Sequence, residues 1–467
     1  MEQEKKGQWG SNFGFLMAAV GSAVGLGNLW GFPYKMGNNG GFAFLLLYLL
    51  LVVFVGFIIM MAELSLGRKS RKGVVGAYES LGKKYKFVGW MGVAAPFLIM
   101  SFYTMLGGYC IKYAVANFGD MFGASWGVNG AASDTFFSNF YGDQFQSVLY
   151  TLIFIVLTIL IVRAGVSSGI EKFTKIAMPA LFIMLVIIIA RSVTMPGAGA
   201  GLEFMFKPNF EVFKGLGWVT VLATAGGQMF FSLSLGMGAM ITYGSYLSKK
   251  ESLERNSFII PIADTTIAIM AGLAVMPAVF ASGLDPAGGP GLLFVTLQSV
   301  FASMGAAGPF FGFLLYVLVF IAAITSSISL LETVSAVVTD KREDQGKATN
   351  RNAVVIIIGL LMAVEAVFVS IDGLGTNGLP QILGQGCWLD TFDLVSEGIL
   401  MPLGALFMAI IFGWIKPGYL NEEIRSSEGD FRTQKFFQFC IKWVVPPIML
   451  LILVGQIDTF FKLGIFS

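Results

Sequence analysis

Residues 19–33, A-V-G-S-A-V-G-L-G-N-L-W-G-F-P, constrain this chain more than any other stretch. They lie in an apolar run long enough to cross a bilayer, yet they place Gly21, Gly25 and Gly27 within seven residues and follow them with Asn28 and Pro33. Glycine weakens a helix interior by about 1 kcal/mol relative to alanine and admits backbone shapes closed to other residues. The spacing therefore predicts a helix that breaks in mid-membrane. Peptide groups freed in hydrocarbon are costly unless something binds them, so broken helices occur where they line a cavity or hold an ion. The competing reading of G-S-A-V-G is a small-residue seam for helix packing.

A second interrupted run favours the break. Residues 226–243, G-G-Q-M-F-F-S-L-S-L-G-M-G-A-M-I-T-Y, again put hydroxyls and the pair Gly236 and Gly238 inside an apolar segment. Two interrupted helices, one opening each half of a chain, point to an inverted-repeat secondary transporter with its site near the membrane midplane. The composition agrees: 56% hydrophobic and 12% charged residues over 467 positions exclude an ordinary soluble domain. No long basic run suits nucleic acid. Cys110, Cys387 and Cys440 are too scattered for a disulfide framework, and histidine, the commonest general base and metal ligand, is absent. The short polar start, M-E-Q-E-K-K-G-Q-W, lacks the pattern of a cleaved signal peptide.

Apolar stretches of membrane length give about eleven spans, near 11–37, 41–68, 87–118, 146–164, 168–194, 215–247, 255–283, 300–340, 352–371, 392–415 and 435–461. The expected fold is an all-α polytopic membrane protein with a 5+5 inverted repeat whose helices 1 and 6 are discontinuous. Its parts are a cytoplasmic segment 1–10, a first repeat 11–194, an extracellular loop 195–214, a second repeat 215–415, a cytoplasmic loop 416–434, and an eleventh span with the C-terminus, 435–467. Lys and Arg crowd alternate loops, from Arg68, Lys69, Arg71 and Lys72 onward, and are absent from 119–145, 284–299 and 372–391. By the positive-inside bias the N-terminus is cytoplasmic and the C-terminus extracytoplasmic. Lys207 and Lys214, in a loop expected outside, dissent. Gly169 and Pro179 are expected either to weaken the start of the fifth span or to be a helix start with a tolerated proline.

A hard cation wants oxygen ligands, which an unwound helix offers as carbonyls and neighbouring side chains as hydroxyls, amides and carboxylates. The seventh span supplies Asp264 in I-A-D-T-T, and the eighth supplies Thr325, Ser326 and Ser327. A mid-membrane carboxylate costs at least about 2.5 kcal/mol to insert and reads as functional. Hydroxyls in T-S-S alone are weaker, because helix Ser and Thr commonly back-bond to the preceding turn.

The runs G-S-A-V-G-L-G-N-L-W-G-F-P-Y, N-G-G-F-A-F at 39–44, G-Q-M-F-F-S-L-S-L-G-M-G-A-M-I-T-Y-G-S-Y at 227–246 and I-T-S-S-I-S at 324–329 resemble the neurotransmitter:sodium symporters, specifically their eleven-helix bacterial amino-acid-transporting branch. The resemblance implies one sodium site at Ala23, Asn28, Ser232 and Asp264 together with the substrate carboxylate. It implies a second at Gly21, Val24, Ala322, Thr325 and Ser326. The substrate would lie among Ser22, Ala23, Leu26, Gly27, Ile99, Tyr103, Phe231, Ser232, Ser234, Met237, Ser326 and Leu330. Gln228 and Phe231 would cap it outside, with Asp393 in the outer gate; Lys6, Trp9, Ser245, Tyr246 and Asp340 would close it from the cytoplasm.

Three positions refine this. Gly25 stands where monoamine carriers have an aspartate, which implies a substrate bringing its own carboxylate. Ala268 stands near where chloride-dependent members have a serine, and Asp264 supplies a fixed negative charge instead, which implies chloride-independent transport. Gly31 replaces the family's usual outer-gate arginine, and Lys35, four residues on, offers a replacement cation. The expected protein is a sodium-coupled symporter, not an enzyme, of the bacterial inner membrane. It imports a hydrophobic amino acid by alternating access, sufficient as a monomer and compatible with a dimer. Aliphatic and aromatic side chains both remain open, as does a small neutral amino acid; a sodium channel or an intramembrane enzyme fits the residues less well.

Overall fold

The computed structural model describes residues 8–286, 291–426 and 430–466, and every regular element among them is helical. Helices satisfy their own backbone groups, which hydrocarbon demands of a spanning segment. The interrupted first span is α1 (Asn12–Ala23) and α2 (Gly27–Asn38), bent by 44°. Then come α3 (Phe42–Ser70), α4 (Lys83–Asp120), α5 (Gln144–Arg163) and α6 (Val166–Val193). The second half opens with α7 (Gly217–Ser232) and α8 (Ala239–Ser245), separated by six residues where the sixth span is expected. It continues with α9 (Leu253–Ala281), α10 (Gly305–Asp344), α11 (Arg351–Asp372), α12 (Trp388–Ile415) and α13 (Gln434–Phe461).

The bundle is sorted by burial. The apolar window of α10 is 78% buried, against 33% in α5, α6 and α13, so α10 is the central post and those three form the lipid-facing rim. α10 lies along α4, its most extensive neighbour, and touches α1, α6 and α8 as well. The two broken helices therefore face a common wall made by α4 and α10.

Two expectations change in detail. The eighth span does not run unbroken from residue 300, because Leu297–Ser303 is a separate short helix and the chain turns at Met304 before α10 begins. The α6 start is wound with wide π turns over Val166–Glu171 and regains regular winding through Pro179, so it neither frays nor breaks. The dissenting lysines are locally neutralised: Lys207 pairs with Glu203 at 3.3 Å and Lys214 with Glu211 at 2.5 Å, all four largely exposed. The three cysteines are free and buried.

Candidate functional site: a cavity between two helix breaks

The first break is narrower than the glycine spacing predicts. Only Val24 and Gly25 leave the helix, Val24 with an extended backbone (φ −75°, ψ 100°), while Gly21 and Gly27 remain helical. Peptide groups in and beside the break find further partners. The Gly25 amide donates to Asn28 Oδ1 at 3.0 Å and the Leu26 amide to the Tyr103 hydroxyl at 2.9 Å. The Gly27 carbonyl accepts from Gln228 Nε2 at 2.7 Å, and the Ser22 carbonyl from Ser234 Oγ at 2.9 Å. Gly25 is required for space: an added Cβ would sit 2.2 Å from the Tyr103 hydroxyl and 2.3 Å from Ser326 Oγ.

The second break spans 233–238, and Ser234, Gly236 and Gly238 all have φ between 54° and 76°. Such values favour glycine. Its Gly236 amide donates to the buried Glu63 carboxylate at 2.7 Å.

Between the breaks lies a tight cavity lined by Ser22, Ala23, Gly25, Gly27, Ile99, Tyr103, Phe231, Ser234, Met237, Ser326 and Leu330. The space left open inside it is about 10 Å³, room for about one water molecule, so the lining helices must part to admit a substrate. Its wall is apolar apart from four hydroxyls and exposed peptide groups, and it holds no charged side chain. Leu26 and Ser232, expected at the site through their main-chain groups, are not among the lining residues. Leu26 has its amide committed to Tyr103, and Ser232 turns its hydroxyl away to Asp264.

Two oxygen-rich clusters flank the cavity. In the first, the fully buried Asp264 carboxylate accepts from Asn28 Nδ2 at 2.7 Å, from Ser232 Oγ at 2.9 and 3.0 Å, and from the Tyr48 hydroxyl at 3.3 Å. All three donors are neutral, and no Lys or Arg among the described residues pairs with this charge. Ala23 is the last residue of α1. In the second, Ser326 Oγ lies 3.3 Å from the Gly21 carbonyl, 3.4 Å from that of Val24 and 3.3 Å from that of Ala322, while Thr325 Oγ1 lies 2.9 Å from Ala322 O. One hydroxyl proton cannot serve three carbonyls, so oxygens outnumber protons here. The back-bonding expected of T-S-S is present, and Ser326 reaches across to α1 as well. No cluster of three His, Cys, Asp or Glu suited to a transition metal occurs among the described residues.

At the lysine-rich end, Trp9 donates to the Tyr243 carbonyl at 3.1 Å and packs edge-on against the Tyr243 and Tyr246 rings, 5.1 and 6.2 Å between centroids. The Tyr246 hydroxyl donates to Glu332 at 2.7 Å, and Glu332 pairs with Arg351 at 2.6 Å. Ser245 is buried in α8, and Asp340 accepts from the Gly73 amide. Lys6 lies outside the described residues.

At the opposite end two expectations are corrected. Gln228 is fully buried and braces the first break instead of capping the cavity from above; its Oε1 takes the space a side chain at Gly31 would need, 2.8 Å from an added Cβ. Lys35 does supply a cation, but it pairs with Glu397 at 2.5 Å, one helical turn beyond Asp393. Tyr48, Glu63 and Glu397 were missed from the sequence. The two carboxylates carried the same signal as Asp264, an acid inside an apolar span.

The profile described as the Sodium:neurotransmitter symporter family matches residues 6–135 and 141–466. The chain belongs to this family. Among its relatives are a sodium-dependent transporter of Bacillus subtilis strain 168, YhdH, 33% identical over 98% of this chain and 99% of the relative, and one of Haemophilus influenzae, 32% identical over 96% and 98%. The crystal structure of MhsT in complex with L-phenylalanine superposes with a TM-score of 0.86, at 37% identity, covering 97% of this chain and all of that one. This symporter is thus a sodium-dependent, multi-pass membrane transporter and not an enzyme.

Proposed function

We propose that the protein imports a hydrophobic amino acid with two sodium ions by alternating access, independently of chloride. The single observation that carries this reading is the cavity between two helix breaks, flanked by an unpaired buried carboxylate and by a spot with more oxygens than protons. Asp264, Asn28, Ser232 and the Ala23 carbonyl hold the first sodium with the substrate carboxylate. The Gly21, Val24 and Ala322 carbonyls with Thr325 and Ser326 hold the second. The Leu26 amide exchanges its Tyr103 partner for the substrate carboxylate, which the Gly27 amide and the Tyr103 hydroxyl also bind. Because the substrate completes an ion site, sodium does not leak alone.

The apolar wall formed by Ile99, Phe231, Met237 and Leu330 favours a large aliphatic or aromatic side chain, and the complex of MhsT with L-phenylalanine supports it. The buried Ala268, one turn from Asp264, offers no hydroxyl to an anion. Residues 11–194 and 215–415 form the two inverted repeats, with the N-terminus and the lysine-rich end cytoplasmic and the C-terminus outside. Moving one charge through 100 mV is worth about 2.3 kcal/mol, so two sodium ions supply about 4.6 kcal/mol, enough for roughly a thousandfold accumulation.

A sodium-dependent binding screen of the twenty amino acids on purified protein tests this. Phenylalanine, leucine and their apolar neighbours are expected to bind. Tightest binding of glycine or alanine would assign a small neutral substrate instead, and no sodium-dependent binding of any would overturn the reading. Uptake is expected to survive replacement of chloride by gluconate.

A further inference from the structure

Among the buried carboxylates that the transport mechanism leaves unused, one lies against the start of α1. Glu171, at the end of the wide-turned start of α6, is buried to 2% exposure. Its Oε2 accepts the Gly10 amide at 2.6 Å, and its Oε1 accepts the Ser11 hydroxyl at 3.1 Å. Ser11 is the residue that caps α1, accepting the Gly14 amide on the same hydroxyl at 3.0 Å. A carboxylate at the start of a helix also complements the partial positive charge of its unpaired amides. One side chain of α6 thus holds the first turn of α1 by a peptide group, by its cap and by its dipole.

The fit is close. A Cβ added to Gly14 would lie 2.0 Å from Glu171 Oε1 and 2.2 Å from its Cδ, so glycine at 14 is what admits the carboxylate. Lys175, one turn along α6, also reaches Oε1 at 2.6 Å and is partly exposed. If α1 leaves, Lys175 stays. The charge keeps a partner on its own helix, so separation breaks only the hydrogen bonds to α1 and avoids stranding a buried charge, which would otherwise be strongly unfavourable.

We propose that Glu171 is the latch of the cytoplasmic gate, a positioning residue that holds the start of α1 against α6 and, through its i+4 lysine, can let it go. This rests on the alternating-access reading, in which the inner half of the first helix must move. The aromatic contact of Trp9 with Tyr243 and Tyr246 closes the same end from the α8 side. The latch acts on α1 from α6.

Hydrogen exchange on the full-length transporter in nanodiscs, without sodium or amino acid, tests the latch. Amides of residues 11–20 are expected to exchange about tenfold faster in Glu171→Gln and in Gly14→Ala, the latter by steric expulsion of the carboxylate. The double variant is expected to be no faster than either, since both remove one contact. Saturating sodium is expected to restore slow exchange in each, by pinning the Gly21 and Val24 carbonyls. Unchanged exchange in Glu171→Gln would overturn the proposal. So would acceleration that spreads into α9 and α10 with a lowered melting temperature and no reversal by sodium, because that pattern marks general destabilisation. Sodium-driven uptake by the unaltered protein is measured alongside. Its absence would remove the transport reading while leaving the exchange result to judge the contact itself.

Discussion

Replacing Asp264 with asparagine removes one charge and almost no volume. In the folded protein the carboxylate accepts from three neutral donors, Asn28, Ser232 and Tyr48, at 2.7–3.3 Å, so an amide oxygen retains part of this network. The charge is what is lost to a cation. At about 4 Å and an effective dielectric constant near 20, a unit charge pair is worth about 4 kcal/mol, and each 1.4 kcal/mol is about tenfold. The midpoint of a sodium titration of amino-acid binding should therefore rise by about two to three decades. Stability should move the other way. Without sodium the wild-type buries an anion paired only with neutral groups, so Asp264→Asn should melt no lower than wild type in sodium-free buffer. At a sodium concentration about a hundredfold above its dissociation constant, wild type gains about 2.7 kcal/mol per site by mass action, and the variant should lack this gain at one site. A sodium midpoint within threefold of wild type would refute the assignment of Asp264 as an ion ligand, whatever the effect on transport rate.

Gly25→Ala should weaken amino-acid binding by about ten- to a hundredfold while leaving the fold intact, since overpacking of about 1–3 kcal/mol falls on Tyr103 and Ser326, which line the cavity; unaltered affinity in a binding assay would show that the space at Gly25 is not used by substrate. Lys35→Ala should destabilise by about 3–5 kcal/mol, because it strands Glu397 at 7% side-chain exposure. Adding Glu397→Ala should recover much of that loss in a melting experiment, and a double variant no more stable than the single one would show that the pair is not coupled. Replacing chloride with gluconate should leave uptake unchanged, and a collapse would point to an anion site.

Much of this was written in the sequence, because hydrocarbon makes irregularity conspicuous. Glycines at 21, 25 and 27 and at 236 and 238 stand out in apolar runs, and Asp264 stands out for the same reason. The break at Val24 and Gly25 was narrower than that glycine run suggested, since helix winding is retained wherever a neighbour can satisfy it. What periodicity could not reveal was pairing between helices. Glu171 meets Gly10 across 161 positions and Lys35 meets Glu397 across 362, and neither partner leaves a local trace. Leu26 and Ser232 were expected at the site by resemblance, but nothing local announced that the Leu26 amide rests on Tyr103 and the Ser232 hydroxyl on Asp264.

Ser326 belongs at once to the cavity wall and to the cluster of carbonyls from Gly21, Val24 and Ala322. Tuning which guest the protein prefers at that residue therefore also retunes its neighbouring cluster. Neither evolution nor an engineer can edit the menu there without touching the motor.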